Sequence, residues 1–491
     1  MPTAQPRPPA APRTDHQADH QAVRPAVRPG TAPPAGGRDD ACPGALRLHS
    51  ADDGALARVR MPGGVLTAAQ AEGLGAAAER WGDGELHLTS RGNVQLRGLY
   101  EGCGAGLAAA LDAAGLLPSA AHERVRNVVA SPLSGLDGLG HRAVGAWLRE
   151  LDDLVCASAR TPALSGRFLF AVDDGRGDTE ALEPDVALVA GAEGTATVRI
   201  GAGPDRTVLS VPAEAAPRVA VHAAEAFLAA AEAARAGGAE RVWRVGELPG
   251  GAGAVRALAL DTVRRAGVGD LLGVTELADS SAVSGGIAVS GGIAARGRVP
   301  VAGVLPGGLS VLVPLGRLAP HQWSALLEAA AGSGGELRLT PWRGVVVPGA
   351  GAVESAALAT TGLVTAPDGP WEGVTACVGR PGCAKSLADV RADAAATVRT
   401  LPDAALPVHV PDAALPLHVP DVLPVHGSNA LPVHWSGCDR RCGRPRGDRV
   451  DVVATGTGYQ VSAVRGGTVR GTSVTDAAAL ATTVAAARAG R

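Results

Sequence analysis

Two segments far apart in the chain share one pattern, and this internal duplication constrains the fold more than any other feature of the sequence. Glu85-Leu-His-Leu-Thr matches Glu336-Leu-Arg-Leu-Thr, and each copy follows a helical stretch and a Gly-rich turn. The predicted helices are residues 66–81, opened by Thr67, and residues 320–331, followed by the turn Gly332-Ser-Gly-Gly. The duplication predicts two half-domains related by pseudo-symmetry, over residues 41–115 and 297–355. The alternative is a chance likeness between two short β-α-β units.

The rest of the chain divides by composition and periodicity. Residues 1–40 are rich in Pro, Ala and Arg and have no periodic apolar face, which predicts a disordered tail. Residues 120–245 and 370–491 alternate strand-like and helix-like patterns, which predicts two α/β domains, the first with a strand over residues 124–130. The expected fold class is therefore α+β, with two half-domains and two further domains.

A short motif of the form Ala-Leu-Pro-Val-His is repeated four times, and residues 403–429 are interpreted as an insertion made of its copies. The histidines of the copies suggest a metal site, and they are His409, His418, His426 and His434. The alternative is slippage of a GC-rich gene that copied one strand, since the proline in each copy is unsuited to a central strand. Only the last copy is expected in the core.

Four cysteines form two close pairs near the C-terminus. Cys377 and Cys383 have the spacing C-x5-C, and Cys438 and Cys442 have the spacing C-x3-C. Four thiolates can bind a [4Fe–4S] cluster or a zinc ion, and a disulfide pair is a third possibility. No secretory signal is visible, which favours the metal or redox alternatives over disulfides.

Charge and hydropathy exclude several classes of function. The net charge of −3 argues against a general nucleic-acid binder. No apolar run is long enough to span a membrane, so a cytoplasmic protein is expected. Gly456-Thr-Gly458 is followed by a strand-like segment instead of a helix, so it does not fit a dinucleotide fingerprint.

The cysteine pattern C-x5-C followed by G-C-x3-C resembles the signature of the sulfite and nitrite reductase superfamily. This resemblance implies two ferredoxin-like half-domains and a [4Fe–4S] cluster whose ligands are Cys377, Cys383, Cys438 and Cys442, the last also bridging to sirohaem iron in the reductases. Thr89-Ser-Arg-Gly-Asn-Val-Gln-Leu-Arg97 and Arg126-Asn-Val-Val-Ala-Ser-Pro132 resemble tetrapyrrole-binding motifs of that superfamily. The substrate-binding residues implied are Arg91, Asn93, Gln95, Arg97, Arg126 and Asn127.

Four further segments are most similar to the precorrin-3B synthases of aerobic cobalamin biosynthesis. They begin at Cys42, Arg124, Asp173 and Leu337. The resemblance implies a monooxygenase that uses O2 to hydroxylate precorrin-3A at C20 and closes a γ-lactone. It also suggests a non-haem iron and an electron-donating reductase or ferredoxin. The alternatives are a sirohaem-dependent sulfite or nitrite reductase, and a non-enzymatic iron–sulfur or tetrapyrrole-binding protein.

Cationic residues distinguish the monooxygenase from a sulfite or nitrite reductase. The reductases resemble one another in carrying lysines near a segment that matches Gly166-Arg-Phe-Leu-Phe170, where this chain has Arg167 and Leu169. Leucine cannot bind an anion or deliver a proton, and arginine is a poor acid, so reduction of a small anion is disfavoured. A polycarboxylate instead suits guanidinium groups. The candidates are Arg91, Arg97, Arg124, Arg126, Arg343, Arg440, Arg441 and Arg444.

Two features are left with open interpretations, and no catalytic residue is assigned. Asp173, Asp174 and Asp178 form either a polar loop or part of the site. His434 either packs beside the cysteine loop or is an iron ligand. The sequence contains no two histidines and one carboxylate close enough in the chain to suggest an iron-binding triad.

Overall fold

The computed structural model describes one compact unit that begins at Asp40. The predicted tail and the predicted insertion, with His409, His418 and His426, lie outside the described residues. In the part that is described, no helix is long and apolar enough to cross a membrane. The described residues are 40, 42–203, 205–265, 275–276, 300–367, 369–400 and 430–489.

The first repeat folds as a ferredoxin-like unit. Thr67 caps its long helix, because Thr67 Oγ1 accepts a hydrogen bond from Gln70 N (3.3 Å) and Gln70 Oε1 accepts one from Thr67 N (3.0 Å). The helix therefore begins where the sequence predicts. The elements are β1 (His49–Ala51), β2 (Gly54–Val59), β3 (Val65–Thr67), α1 (Ala68–Trp81), β4 (Leu86–Leu88), β5 (Val94–Leu99) and α2 (Gly104–Ala113).

The middle region is a mixed sheet covered by helices, and its core contains Trp147, Phe168, Phe170 and Phe227. Its elements are β6 (Val128–Ala130), α3 (Gly145–Ala157), β7 (Phe170–Asp173), β8 (Val186–Ala190), β9 (Thr195–Ile200), β10 (Thr207–Pro212), α4 (Ala216–Ala236), α5 (Gly251–Arg265) and β11 (Thr275–Glu276). The strand order is β11-β10-β9-β8-β7-β6, so the sheet extends past residue 245, the expected end of this domain.

The predicted strand over Arg124–Ala130 is shorter in the structure. Only Val128–Ala130 pair with a neighbour, the parallel strand β7. The preceding residues close a turn, since His122 O accepts hydrogen bonds from Val125 N (3.0 Å) and Arg126 N (3.3 Å). Apolar and charged residues alternate in this turn as they would in a strand, so the pattern did not separate the two.

The second repeat has the same sequence of elements as the first. Its helix over residues 320–331 has the bounds that the sequence predicts. The elements are β12 (Gly303–Leu305), β13 (Gly308–Leu312), β14 (Arg317–Leu318), α6 (Pro320–Ala331), β15 (Glu336–Leu339), β16 (Gly344–Pro348) and α7 (Ala352–Thr360).

The two repeats exchange one strand each. Strand β14 of the second repeat pairs with β4 of the first, and β3 of the first pairs with β15 of the second. The resulting sheet orders are β1-β2-β5-β4-β14 and β12-β13-β16-β15-β3. Buried side chains of both repeats, among them Leu66, Leu74, Trp323 and Leu326, form one core. The half-domains expected from the duplication therefore complete each other.

The C-terminal region has a sheet of order β17-β18-β19-β20-β21, in which β17, β18 and β19 run parallel and the last two pairs are antiparallel. The last repeat copy lies in the core, as expected, because Val433 and His434 are buried in β18. The elements are β17 (Val374–Ala376), α8 (Val390–Thr400), β18 (Val433–Ser436), β19 (Arg449–Ala454), β20 (Tyr459–Arg465), β21 (Thr468–Val474) and α9 (Ala477–Ala489).

Candidate functional site

The two cysteine motifs leave the sheet at the same edge. Cys377 directly follows β17, and Cys438 comes two residues after the parallel neighbour β18. Carboxyl ends of adjacent parallel strands meet at one edge of a sheet, where ligands commonly bind. Cys377 N donates to Trp435 O (2.8 Å), and Gly437 N donates to Cys377 Sγ (3.2 Å). The fold thus joins motifs that the sequence separates widely.

Glycine is required where the two cysteine loops touch. A Cβ at Gly437 would lie 1.8 Å from Ser386 Oγ, and Leu387 N donates to Gly437 O (2.8 Å). At Gly443, just after the last cysteine, φ is +81°, a left-handed conformation that suits glycine. These positions let the backbone of one loop come close to the sulfur of the other.

The cysteine sulfurs are spaced more widely than the ligands of one metal ion. One zinc ion would hold its sulfurs roughly 3.8 Å apart, given its Zn–S distance. Among the described residues, no three of the cysteine sulfurs lie within 4.8 Å of one another. Burial raises the pKa of Cys377, and the nearby Cys442 and Cys438 raise it further, so these thiols share one electrostatic environment. A cubane cluster separates its four ligands more widely than one ion does.

His434 is a packed core residue beside these loops. It is fully buried, Thr375 Oγ1 donates to its Nδ1 (2.8 Å), and its Nε2 donates to Cys442 O (3.0 Å). Burial first, and then the charge of Arg343, lower its pKa to about 4. Both ring nitrogens of His434 are hydrogen-bonded to protein atoms. The structure therefore supports packing and not iron binding as the role of His434.

Asn93 and Asn127 join four segments of the chain inside the protein. Both are fully buried. Asn127 Oδ1 accepts hydrogen bonds from Asn93 Nδ2 (3.1 Å) and Arg60 Nη1 (3.1 Å), while Asn127 Nδ2 donates to Phe168 O (2.9 Å). Asn93 Oδ1 accepts from Met61 N (3.0 Å). Their amides therefore hold the frame of the predicted substrate strand.

Two of the predicted substrate arginines already have carboxylate partners. Arg97 forms a bidentate pair with Asp53 (2.9 and 2.8 Å) and donates to Gly382 O (2.9 Å) in the first cysteine loop. Arg126 forms a bidentate pair with Asp152 (2.8 and 2.6 Å) on α3. Arg97 thus links the first repeat to the cysteine loop, and Arg126 anchors α3.

Three arginines, Arg58, Arg60 and Arg91, converge without an ion pair within 4.0 Å among the described residues, although Glu123 attracts Arg60 and Asp185 attracts Arg91 from longer distances. The sequence did not predict a role for Arg58 or Arg60. Arg91 donates to Arg167 O (3.2 Å), and Arg60 to Gly166 O (3.0 Å) and Asn127. The Nε atoms of Arg58 and Arg60 have no hydrogen-bond partner. Burial and mutual repulsion lower the pKa of Arg60 to about 9, and burial lowers that of Arg91 to about 10. This cationic trio suits an anionic ligand.

Gln95 lies on the same sheet face as these groups. In β-sheet register it stands between Arg58 on β2 and His87 on β4, and Arg317 on β14 follows His87. The resulting row of polar residues crosses four of the five strands of the sheet. Alternating arginines on β2 are the signal that could have found Arg58 and Arg60, because their neighbours Ala57 and Val59 are fully buried on the opposite face.

The other candidate arginines are dispersed. Arg124 pairs with Asp40 (3.6 Å), and Arg441 (3.1 Å) and Arg444 (3.9 Å) share Asp451. Two more stand near the second cysteine motif. They are Arg440, which is exposed, and Arg343, whose Nη2 is 3.4 Å from the Cβ position of Gly443.

Leu169 is part of the core. It is 1% exposed and packs with Val129, Ala171 and Ala187. Arg167, two residues earlier, is half-exposed and pairs with Glu247 (3.1 Å). Neither side chain offers a free cation at the place where the reductases resemble one another in having lysines.

The Asp173–Asp178 loop is a closed internal network. Asp173 accepts hydrogen bonds from Gly175 N, Gly177 N and Thr179, and Asp174 pairs with Arg176. These contacts support a polar loop. Asp178 is the exception, because its Oδ1 accepts from Ser131 Oγ (2.7 Å) but its buried Oδ2 has no partner.

Asp178 should make folding stability depend on pH. Burial, and then the charge of Asp173, raise its pKa to about 8, so the native state binds a proton that the unfolded chain releases near pH 4. Stability should therefore fall as pH rises from 4 to 8, by at most about 1.4 kcal/mol per unit. We expect Asp178→Asn to flatten this dependence in urea unfolding at several pH values. The exposed Asp112→Asn is the control, and parallel curves for wild type and Asp178→Asn would contradict the expectation.

A cavity of about 630 Å³ separates the first sheet from the first cysteine loop. Asp83, Glu85 and His87 at its wall are close enough to share a metal ion. They do not fit one, because Arg317 pairs with Glu85 and Arg391 Nη1 donates to His87 Nδ1 (3.1 Å). A histidine that binds a metal through Nε2 carries a proton on Nδ1, which cannot face a guanidinium donor.

Comparison with known proteins agrees with this geometry. The nitrite/sulfite reductase ferredoxin-like half domain matches residues 49–114 and 308–358, one stretch in each repeat. A precorrin-3B synthase from Sinorhizobium sp is 26% identical over 441 residues, which cover 86% of this chain and 82% of that protein. A ferredoxin–nitrite reductase from Synechococcus elongatus is 32% identical over 127 residues, 25% of either chain.

The solved structure of the Mycobacterium tuberculosis NirA protein shares the fold. It has a TM-score of 0.57 at 18% identity, and the match covers 84% of this chain and 74% of that one. The fold is thus α+β with ferredoxin-like sheets, as expected. The chain thus resembles the sulfite and nitrite reductase superfamily in its two half-domain matches and in the precorrin-3B synthase that is alike along most of its length.

Proposed function

We propose that the protein is a precorrin-3B synthase, which uses O2 to hydroxylate precorrin-3A at C20 and closes a γ-lactone. The observation that carries this proposal is the length of the match to a precorrin-3B synthase, which spans 86% of the chain. Matches to a nitrite reductase and a sulfite reductase component cover only 25% and 20% of it. The long match includes the regions outside the half-domains.

Three arginines are proposed to bind the substrate, and two asparagines to hold them in place. Arg58, Arg60 and Arg91 form no ion pair within 4.0 Å among the described residues, and the Nε atoms of Arg58 and Arg60 have no hydrogen-bond partner. A carboxylate of the substrate would offset their buried charge. The hydrogen bonds of Asn93 and Asn127 keep this trio in place. Substrate carboxylates bound there would exclude water from the guanidinium groups and orient the macrocycle.

The four cysteines are proposed to hold a [4Fe–4S] cluster, which when bound supplies electrons one at a time. Gly437 N donates to Cys377 Sγ and would stabilise it as a thiolate ligand. We derive no step through a separate non-haem iron, because Asp83, Glu85 and His87 do not fit one and His434 is occupied. The electron donor proposed is a separate reductase or ferredoxin, and the location proposed is the cytoplasm.

The second candidate is a sirohaem-dependent sulfite or nitrite reductase. The half-domain matches and the short matches to reductases favour it. The burial of Leu169 and the Arg167–Glu247 pair argue against it, because a small oxyanion needs a cationic proton donor nearby. The third candidate is a binding protein without enzymatic activity.

Two measurements separate the candidates. Anaerobically purified protein, incubated with precorrin-3A, a reductant and O2, should convert the substrate to a product heavier by one oxygen atom in mass spectrometry. The absorption spectrum of the same protein should lack a sirohaem Soret band. A strong Soret band retained through purification would support the reductase, and a loaded cluster without any mass gain would support the binding protein.

A further inference from the structure

Arg391 connects the first cysteine loop to the first repeat. It is the second residue of α8, its Nε donates to Cys377 O (3.3 Å), and its Nη1 donates to His87 Nδ1 (3.1 Å). Among the described residues, no carboxylate oxygen lies within 4.0 Å of its guanidinium. Its neighbours Arg317 and Arg97 are cations with carboxylate partners of their own. A largely buried positive charge therefore stands beside Cys377 without an ion pair among the described residues, and Glu85 attracts it only from a longer distance.

The N-terminus of α8 approaches the same loop. A Cβ at Gly379 would lie 3.1 Å from Val390 N, and Arg380 N donates to Ala388 O (3.0 Å), just before the helix. The positive end of the helix dipole thus adds to the charge of Arg391 at this loop. Asp389 Oδ1 accepts a hydrogen bond from Ala392 N (3.1 Å) at the same helix end, so the guanidinium of Arg391 is the feature that carries positive charge to Cys377.

We infer that Arg391 is a positioning residue that holds a positive charge against the cluster loop and raises the reduction potential of the cluster. This inference depends on the cluster assignment in the proposed function. A buried guanidinium without a counter-charge is costly, and four thiolates around a cluster supply negative charge. Reduction adds one more negative charge, so a fixed cation stabilises the reduced form more than the oxidised form.

His87 fixes the direction of the guanidinium. Its Nδ1 accepts from Arg391, and its Nε2 faces Asp83 Oδ2 (3.4 Å). His87 lies in β4, so the contact joins the loop to a rigid sheet of the first repeat. The guanidinium group of Arg391 is thereby held in one position and does not move within the cavity.

The test compares Arg391→Gln, Arg391→Lys and the matched control Arg399→Gln, an exposed arginine near the far end of the same helix. The midpoint potential is measured by redox titration monitored by EPR, with iron and acid-labile sulfide assayed in each sample. Arg391→Gln should lower the ratio of reduced to oxidised cluster at a given potential by roughly tenfold, which is about 59 mV for one electron. Arg391→Lys and Arg399→Gln should stay close to wild type.

Equal potentials for wild type and a fully loaded Arg391→Gln would overturn the inference and leave the cluster assignment intact. Equal shifts of the midpoint potential in the Gln and Lys variants would also overturn the inference. The shape of the guanidinium group would then matter, and its charge would not. Wild type without iron and sulfide would overturn the cluster assignment itself, and the inference with it.

A second measurement covers a variant that loses its cluster. In cluster-free protein the charge of Arg391 has no counter-charge, so Arg391→Gln should unfold at the same temperature as wild type or higher. A lower unfolding temperature in the cluster-free variant would show a purely structural role and contradict the inference.

Discussion

Replacing Cys438 with serine is expected to abolish cluster binding. Cys438 follows β18, where the second cysteine motif meets the first. Cys438 lies near enough to Cys377 to raise the pKa of that thiol, in addition to the larger effect of burial. A serine hydroxyl does not ionise near neutral pH and is a poor ligand for iron. Loss of a supporting residue already weakens a metal site 10–100-fold, so loss of a ligand should reduce iron and acid-labile sulfide by at least roughly tenfold. Both are measured per protein after anaerobic purification.

Cys156→Ser is the matched control, because it makes the same chemical change in the last turn of α3, away from the paired motifs. It should retain iron and sulfide at the wild-type level. Stoichiometric zinc in wild type would identify a structural zinc site instead, and unchanged iron in Cys438→Ser would remove Cys438 from the ligand set.

The cysteine site could be predicted from the sequence because its signals are local. The spacings C-x5-C and C-x3-C and the glycine at 437 are visible without a fold, and the structure shows why that glycine is needed. Likewise, Thr67 and the turn around residues 332–335 predicted helix bounds from neighbouring residues alone.

The features that escaped prediction depend on pairing between distant segments. Strand β14 is only Arg317–Leu318, too short for a periodicity, and its place is set by pairing with His87 and Leu86. The motif resemblance implied that Asn93 and Asn127 bind substrate, but tertiary hydrogen bonds make them part of the frame. No local pattern distinguishes an amide that binds a ligand from one that binds a backbone.

The two repeats have diverged in chemistry while keeping their topology. Across the first sheet the row is Arg58, Gln95, His87 and Arg317, and its last two members line the cavity next to the cysteine loop. The corresponding row of the second sheet is Ser310, Val346, Arg338 and Val65. There Arg338 Nη1 donates to Pro132 O and Ser134 O, so the middle region covers that face. One repeat therefore presents a polar face to the site, and the other serves as a packing surface.

The exchange of strands implies that the two repeats unfold together. Trp323 on α6 packs against α1, its Nε1 donates to Ala71 O (3.0 Å), and it is 3% exposed. A Cβ at Gly75 would lie 2.7 Å from the indole, so α1 is shaped to admit this ring. We expect Trp323→Ala to cost about 3–5 kcal/mol of unfolding free energy, because the shared core would keep a cavity. Urea unfolding followed by circular dichroism at 222 nm measures it.

Two further variants divide the effect into its parts. Trp323→Phe keeps most of the ring and loses the hydrogen bond to Ala71, so about 1 kcal/mol is expected. Val353→Ala on α7 removes a side chain that is 79% exposed and should change stability by less than about 0.5 kcal/mol. A loss below about 1 kcal/mol in Trp323→Ala would contradict a shared core. So would a transition in which the first repeat stays folded while the second unfolds, because β3 and β14 would then have lost their partners without cost.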